Sequence, residues 1–80
     1  MTHSFLKWRC RRGMKELDLL LLKYLQQDYL QAPSSIQQAF ARLLDYQDPV
    51  IVDLLFNRYV DEDEAVQSII RTLQAYSGVR

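Results

Sequence analysis

Apolar side chains recur at intervals of three and four residues along almost the whole chain, which is the spacing of one face of an α-helix. The cleanest stripe consists of Ile36, Ala39, Phe40, Leu43 and Leu44. The 80 residues include only two glycines and two prolines, too few for the many tight turns of an all-β fold. We therefore predict an all-α fold, a compact bundle of five helices that forms a single domain over residues 1–80.

The apolar pattern also predicts where the helices lie. A chain of this length buries one thin core, which excludes a doubly wound nucleotide-binding domain, a barrel and a two-lobed enzyme. Pro33 breaks the pattern between the second and third helices, because proline disfavours helix at the preceding residue. We expect helices over residues 4–12, 14–30 and 34–45, a fourth with Ile51, Leu54, Leu55 and Tyr59 on its buried face, and a fifth that buries Val66, Ile69, Ile70 and Leu73 and ends near Gly78.

Several helix ends carry residues that favour termination or capping. Gly13 is expected to end the first helix in a left-handed conformation. Asp48 and Pro49 have the chemistry of an N-cap and a first helical residue. Asp61 and Glu64 resemble a capping box before the fifth helix.

The second helix has an unusually wide apolar face. At 100° per residue its apolar side chains cover about 200° of the circumference, whereas a surface helix needs about 100°. We therefore expect this helix to be central, with neighbours on more than one side. Asp18 falls inside the apolar arc, so we expect its carboxylate to have a partner, most simply a nearby arginine; the alternative is a cap or a half-exposed acid in the first helical turn. The arc comprises Met14, Leu17, Leu20, Leu21, Leu22, Tyr24, Leu25 and Tyr29.

The formal net charge is zero, but the charge is divided along the chain. Residues 1–23 contain six cations and two anions, and residues 24–80 contain four cations and eight anions. The cationic end favours an anionic partner. A nucleic-acid-binding protein usually carries an overall positive excess, which this chain does not have.

The residue types that carry catalysis are scarce. His3 is the only histidine and Cys10 the only cysteine, so a nucleophile–histidine pair would depend on a residue near the chain start. No spacing suits a metal site, and no glycine-rich phosphate loop is present. We predict no catalytic residue, no metal site and no stably bound cofactor.

The first residues and the apolar runs indicate where in the cell the protein is found. Residues 1–6 have no secretory or transit signature, and the longest apolar run, residues 19–22, is far below the ~20 residues that cross a bilayer. The single unpaired cysteine fits a reducing compartment. We expect a cytoplasmic monomer without membrane insertion.

Residues 8–18 combine an aromatic side chain, three arginines and an interior glycine. Arginine binds carboxylates and phosphates bidentately, tryptophan and arginine are enriched at interface hot spots, and glycine permits close approach of a partner. A purely structural interpretation remains open. In it Gly13 is only a helix stop, Arg12 and Glu16 form a surface ion pair, and Trp8 belongs to the core.

This segment resembles the FAD assembly factors of succinate dehydrogenase, whose hallmark is Arg-Gly-x-x-Glu followed by Leu-Asp. Here Arg12-Gly13-x-x-Glu16 precedes Leu17-Asp18. Further matches are residues 40–44 and the Asp48-Pro49 step, so the resemblance covers about residues 8–73. The chain departs from the family in the proline of the turn at residues 32–35 and in a short C-terminal tail.

The resemblance implies a small bacterial helper that binds the flavoprotein subunit of succinate dehydrogenase, and also that of fumarate reductase. It would promote covalent attachment of FAD, the partner's cofactor, to a histidine of that subunit. The implied partner-binding residues are Arg12, Gly13 and Glu16, with Trp8 and Arg11 as neighbours. Bacterial members are also labelled antitoxins, so an antitoxin-like module stays open, as do a small helical DNA- or RNA-binding protein and a helical domain without the implied activity.

Overall fold

The computed structural model describes residues 3–78, and the side chain of His3 lies outside the described part. Five α-helices follow one another: α1 (His3–Arg9), α2 (Lys15–Tyr24), α3 (Ser34–Leu44), α4 (Asp48–Leu55) and α5 (Glu64–Ser77). A π-helical segment, Leu25–Tyr29, continues α2 directly. No strand occurs within residues 3–78. The predicted all-α bundle of five helices is confirmed.

The core forms where the apolar stripes of the helices meet. α5 packs against α2, α3 and α4, while the π-helical segment packs against α3. The second helix therefore has neighbours on more than one side, as predicted, but the central position belongs to α5. Met14, although it falls near the middle of the predicted arc, is the N-cap of α2 and is exposed. The fully buried large side chains are Leu6, Leu21, Leu25, Phe40, Leu43, Leu44, Ile51, Leu54, Val66, Ile69, Ile70 and Leu73.

The π-helical segment was not expected, because helical periodicity predicts only an uninterrupted helix there. It lies beside α3, where the Phe40 ring stacks on Tyr24 at 5.0 Å between centroids and contacts Tyr29 at 5.7 Å. Gln37 Nε2 donates a hydrogen bond to the Tyr29 carbonyl at 2.8 Å. These contacts stabilise the irregular end of the second helix against α3.

Two predicted helix ends are wrong. α1 ends at Arg9 rather than at residue 12, so Gly13 lies in the connection to α2; its φ of +81° is nevertheless left-handed, as expected. α4 ends at Leu55, which places Tyr59 in an exposed loop instead of the core. In that loop Asn57 has a φ of 59°, a conformation that asparagine tolerates better than most residues and that ends the helix.

Two predicted caps also differ from the structure. Gln47 is the N-cap of α4, and Asp48 lies inside the helix, where its carboxylate meets Arg12. Asp63, not Asp61, caps α5: its Oδ1 accepts hydrogen bonds from the amides of Ala65 and Val66 at 3.1 and 3.4 Å. The Asp61 side chain instead accepts the amide of Asp63 at 2.7 Å, which shapes the turn before the cap.

No helix among the described residues combines the length and the hydrophobicity needed to cross a bilayer.

Candidate functional site

The connection between α1 and α2 is anchored at its first residue, Cys10, and in its middle, at Arg12. Cys10 is fully buried, and the backbone amide of Arg12 donates to Asp18 Oδ1 at 2.7 Å. Asp18 therefore has the partner that its position demanded. The partner is a nearby arginine, as expected, but the donor is its backbone amide and not its guanidinium. Asp18 is also half-buried in the first turn of α2, which agrees with the second expectation.

The Arg12 side chain is used inside the molecule. Its Nε donates to Asp48 Oδ1 at 2.8 Å and its Nη1 to the Leu44 carbonyl at 2.7 Å, while Nη2 donates to the Tyr46 carbonyl. Only 13% of this side chain is exposed. Leu44 is the last residue of α3, where carbonyls lack intrahelical donors and the helix dipole is negative. Arg12 thus joins the end of α3 to the first turn of α4.

Arg9 reinforces the same corner from the end of α1. Its Nη2 donates to the Leu44 carbonyl at 2.8 Å and pairs with Asp45 Oδ1 at 2.5 Å. Two cations of the basic N-terminal region are therefore matched by Asp45 and Asp48. The cationic end predicted from the sequence is partly neutralised in the fold, which weakens the case for a nucleic-acid-binding surface.

Trp8 is 70% exposed, so the interpretation that it belongs to the core is wrong. Its ring lies 6.3 Å from that of Phe5, at an interplanar angle of 30°. Together with Phe5, which is 46% exposed, it forms an exposed aromatic pair, and contiguous apolar surface is typical of interaction sites.

Arg11, Gly13 and Glu16 are also exposed. Apart from Gly13 itself and its two chain neighbours, no heavy atom lies within 4 Å of a Cβ placed on Gly13, so packing against other parts of the chain does not require a glycine. Arg12 pairs with Asp48 rather than with Glu16, which excludes the structural interpretation of a surface Arg12–Glu16 pair. Within residues 4–78, the side chains of Arg11 and Glu16 form no ion pair. We call Trp8, Arg11, Gly13 and Glu16 the N-terminal surface.

An open groove of about 590 Å³ borders this surface. Its walls are the end of α1 and the α3–α4 connection. The residues that line it are Trp8, Arg9, Arg11, Arg12, Tyr46, Gln47, Asp48 and Pro49. Residues far apart in the sequence therefore meet next to the predicted partner-binding residues.

The α3–α4 connection was missed as part of the site by the sequence reasoning. Asp48 was predicted to cap α4 and was counted among the matches to the family, but neither Asp48 nor Tyr46 was assigned a role at the site. The Tyr46 hydroxyl donates to Asp61, and burial together with this hydrogen bond raises the pKa of Tyr46 well above its ordinary value of 10.0. This connection is thus held on two sides, by Arg12 and by the loop before α5.

The chemistry available at the site is limited. Burial raises the pKa of the Cys10 thiol to about 11, against the opposing charge of Arg12, so Cys10 is a poor nucleophile at neutral pH. No group of three or more His, Cys, Asp or Glu side chains that could hold a metal lies within the described residues. The absence of a resident metal or cofactor stays a prediction.

Comparison with known proteins gives a consistent match. Residues 5–77 match the family model described as flavinator of succinate dehydrogenase. A Coxiella burnetii protein named FAD assembly factor SdhE is 35% identical over 73 residues, which cover 91% of this chain and 89% of the relative. The protein of the same name from Methylococcus capsulatus is 42% identical, with 91% and 88% covered, and that from Yersinia pseudotuberculosis is 32% identical, with 91% and 83% covered.

No solved structure matches the chain. The family model nevertheless spans almost all of the described residues, and the relatives are matched over most of their own length. The resemblance first seen in residues 8–18 is confirmed, and the chain belongs to the family of succinate dehydrogenase flavinators.

Proposed function

We propose that this chain binds the flavoprotein subunit of succinate dehydrogenase and promotes the covalent attachment of FAD to it. The observation that carries the proposal is the N-terminal surface, in which Trp8, Arg11, Gly13 and Glu16 are exposed beside a corner held by hydrogen bonds of Arg9 and Arg12. The family description and the names of the relatives supply the client class. The resemblance implies a second client, the flavoprotein subunit of fumarate reductase, and the proposal includes binding to it.

The helper acts without making or breaking bonds itself. Its one thiol is buried and has a raised pKa. The flavin–histidine bond is chemistry of the flavoprotein and of its own FAD. Binding accelerates that reaction by holding the client in a geometry that brings its histidine and flavin together. A helper that must leave afterwards needs an interface of modest size with a polar rim.

The exposed residues have separate roles in this interface. Trp8 supplies apolar contact area, while Arg11 and Glu16 supply charged hydrogen-bonding groups. Gly13 lets the client's backbone approach closely, since no side chain covers it. The resemblance implies that Arg12 contacts the client. Its guanidinium is engaged by Asp48 and by the Leu44 and Tyr46 carbonyls, so Arg12 acts indirectly, by holding the backbone next to Gly13 in place.

The test uses two glycines with the same backbone conformation. Gly13 and Gly78 have φ of +81° and +79°, and neither would bring a Cβ within 4 Å of another heavy atom. Gly13→Arg and Gly78→Arg therefore impose a similar backbone strain, but only the first blocks the N-terminal surface. In bacteria that lack their own helper, the wild-type chain and Gly78→Arg should restore covalent FAD on the flavoprotein subunit, measured by flavin fluorescence in a denaturing gel. Gly13→Arg should not.

The opposite results are equally clear. Full restoration by Gly13→Arg would remove Gly13 from the binding surface. No restoration by the wild-type chain, combined with co-purification of a small toxin or with a steeply salt-dependent affinity for nucleic acid, would favour one of the alternative functions.

A further inference from the structure

Asp48 is the one side chain that accepts a hydrogen bond from the Arg12 guanidinium within residues 4–78. The other acceptors are the backbone carbonyls of Leu44, Tyr46 and Arg9. Because Arg12 is largely buried, its charge needs a nearby anion, and the carboxylate at 2.8 Å is the one that the fold provides.

The Arg12 residue is fixed through its backbone as well as through its side chain. Its amide donates to Asp18 in the first turn of α2, and its guanidinium reaches Asp48 in the first turn of α4. Gly13 follows directly in the chain, and Glu16 lies on α2 one turn further. The Arg12–Asp48 contact therefore ties the residue next to Gly13, four positions before Glu16, to the first turn of α4.

We infer that Asp48 is a positioning residue for the N-terminal surface, acting through Arg12; the inference rests on the proposed function. Without the Asp48 carboxylate, the connection between α1 and α2 loses its charged link to the α3–α4 corner. The left-handed glycine beside it leaves that connection free to take other conformations. A client would then have to order the connection on binding, and its affinity would fall by that cost.

Asp45 offers a matched control at the same corner. It pairs with Arg9, which is also an arginine at the end of α1, at 2.5 Å. The Asp45 side chain is 68% exposed, against 30% for Asp48, and Arg9 precedes the connection rather than lying in it. The Asp45 carboxylate is mostly in solvent, although the Arg9 side chain is only 19% exposed, so the pair contributes less than a buried one. Asp45→Asn therefore removes a carboxylate of the corner without releasing the connection.

The experiment measures two quantities for Asp48→Asn and Asp45→Asn. The first is amide hydrogen exchange at Arg12 in the free protein, and the second is Kd for the purified flavoprotein subunit of succinate dehydrogenase. Asp48→Asn should accelerate exchange at Arg12 about tenfold and raise Kd about tenfold, while Asp45→Asn should change either by less than about twofold. Circular dichroism verifies that both variants keep the helical fold.

A double variant separates positioning from direct contact. If Asp48 acts by orienting Glu16, then Asp48→Asn has a smaller effect on Kd in a Glu16→Gln background than in the wild type. The inference is overturned if exchange at Arg12 is unchanged in Asp48→Asn, if both aspartate variants behave alike, or if the effects of Asp48→Asn and Glu16→Gln simply multiply. If the wild-type chain does not bind the flavoprotein at all, the proposed function fails, and the exchange rates alone decide whether Asp48 holds the connection.

Discussion

Arg11 and Arg12 are consecutive in the chain, yet the first side chain lies in solvent and the second is held against the α3–α4 corner by Asp48 and two carbonyls. The two arginines therefore have different tasks, although the sequence presents them as one basic cluster. One is available to a client, and the other builds the surface on which the client would bind.

This difference predicts that the same substitution destabilises the fold at Arg12 but not at Arg11. Arg12→Lys keeps the charge but loses the planar fork that reaches Asp48 and the Leu44 and Tyr46 carbonyls together. We expect the free energy of unfolding to fall by about 2 kcal/mol, measured by urea denaturation. Arg11→Lys should leave it within about 0.5 kcal/mol of the wild type. Equal losses in the two variants would contradict the division of tasks.

The exposed Trp8 ring predicts a change in binding without a change in stability. Because Trp8→Ala removes little buried surface, the free energy of unfolding should change by less than about 0.5 kcal/mol. The Kd for the flavoprotein subunit should rise about tenfold or more. Phe56→Ala is the control, since Phe56 is 54% exposed in the loop after α4; its Kd should remain that of the wild type. A normal Kd for Trp8→Ala would exclude the ring from the interface.

An asparagine at Gly13 separates backbone conformation from close approach. Asparagine tolerates a positive φ better than most residues, so Gly13→Asn should keep the fold with a small loss of stability. Its side chain would still cover the position that the client has to approach. We expect thermal unfolding near that of Gly78→Asn, but weaker binding to the flavoprotein subunit. Wild-type affinity for Gly13→Asn would mean that the glycine serves only the conformation of the connection.

The helices were predictable because their apolar stripes are regular. The stripe of α3 and the buried residues of α5 appear in the structure as the pattern indicates. The π-helical segment and the early end of α4 were not predictable, because they depend on packing of Phe40 against Tyr29 and on a left-handed Asn57. Neither this ring contact nor this backbone conformation changes the spacing of apolar residues in the sequence.

The candidate site was predictable only in part, for a related reason. Residues 8–16 stand out by composition and by resemblance, and Trp8, Arg11, Gly13 and Glu16 are exposed. The partner of Arg12 lies 36 residues away, and one sequence cannot reveal which of its aspartates meets which arginine. The sequence therefore predicted a capping role for Asp48, because an aspartate directly before a proline is typical of a helix start.

The buried Cys10 thiol predicts a strong pH dependence of alkylation. Its pKa is raised from 9.0 to about 11 by burial, so at pH 8 the thiolate fraction is about 100-fold lower than in the unfolded chain. Iodoacetamide should label the native protein at least about 100-fold more slowly than the protein in urea. Between pH 7 and 9 the native rate should rise about tenfold per pH unit. A native rate close to that of the unfolded chain would show that the end of α1 opens readily.

Asp63 predicts how the fold responds to acid. Partial desolvation raises the pKa of Asp63. The hydrogen bonds from Arg42 and from the amides of Val66 and Ala65, together with the charge of Arg42, lower it by a larger amount, so the pKa lies below its ordinary value of 3.8. The folded state thus favours the ionised form, and this stabilisation is present above pH 3.8 and is lost as the pH falls through the lowered pKa.

Asparagine at position 63 isolates this contribution, since it caps helices about as well as aspartate but does not ionise. We expect the unfolding midpoint in urea to fall less steeply below about pH 4 in Asp63→Asn than in the wild type. Arg42→Gln removes one cause of the lowered pKa and keeps the amide donors, so its acid dependence should lie between the two. Parallel acid profiles for all three proteins would mean that the cap of α5 contributes nothing to the acid sensitivity of the bundle.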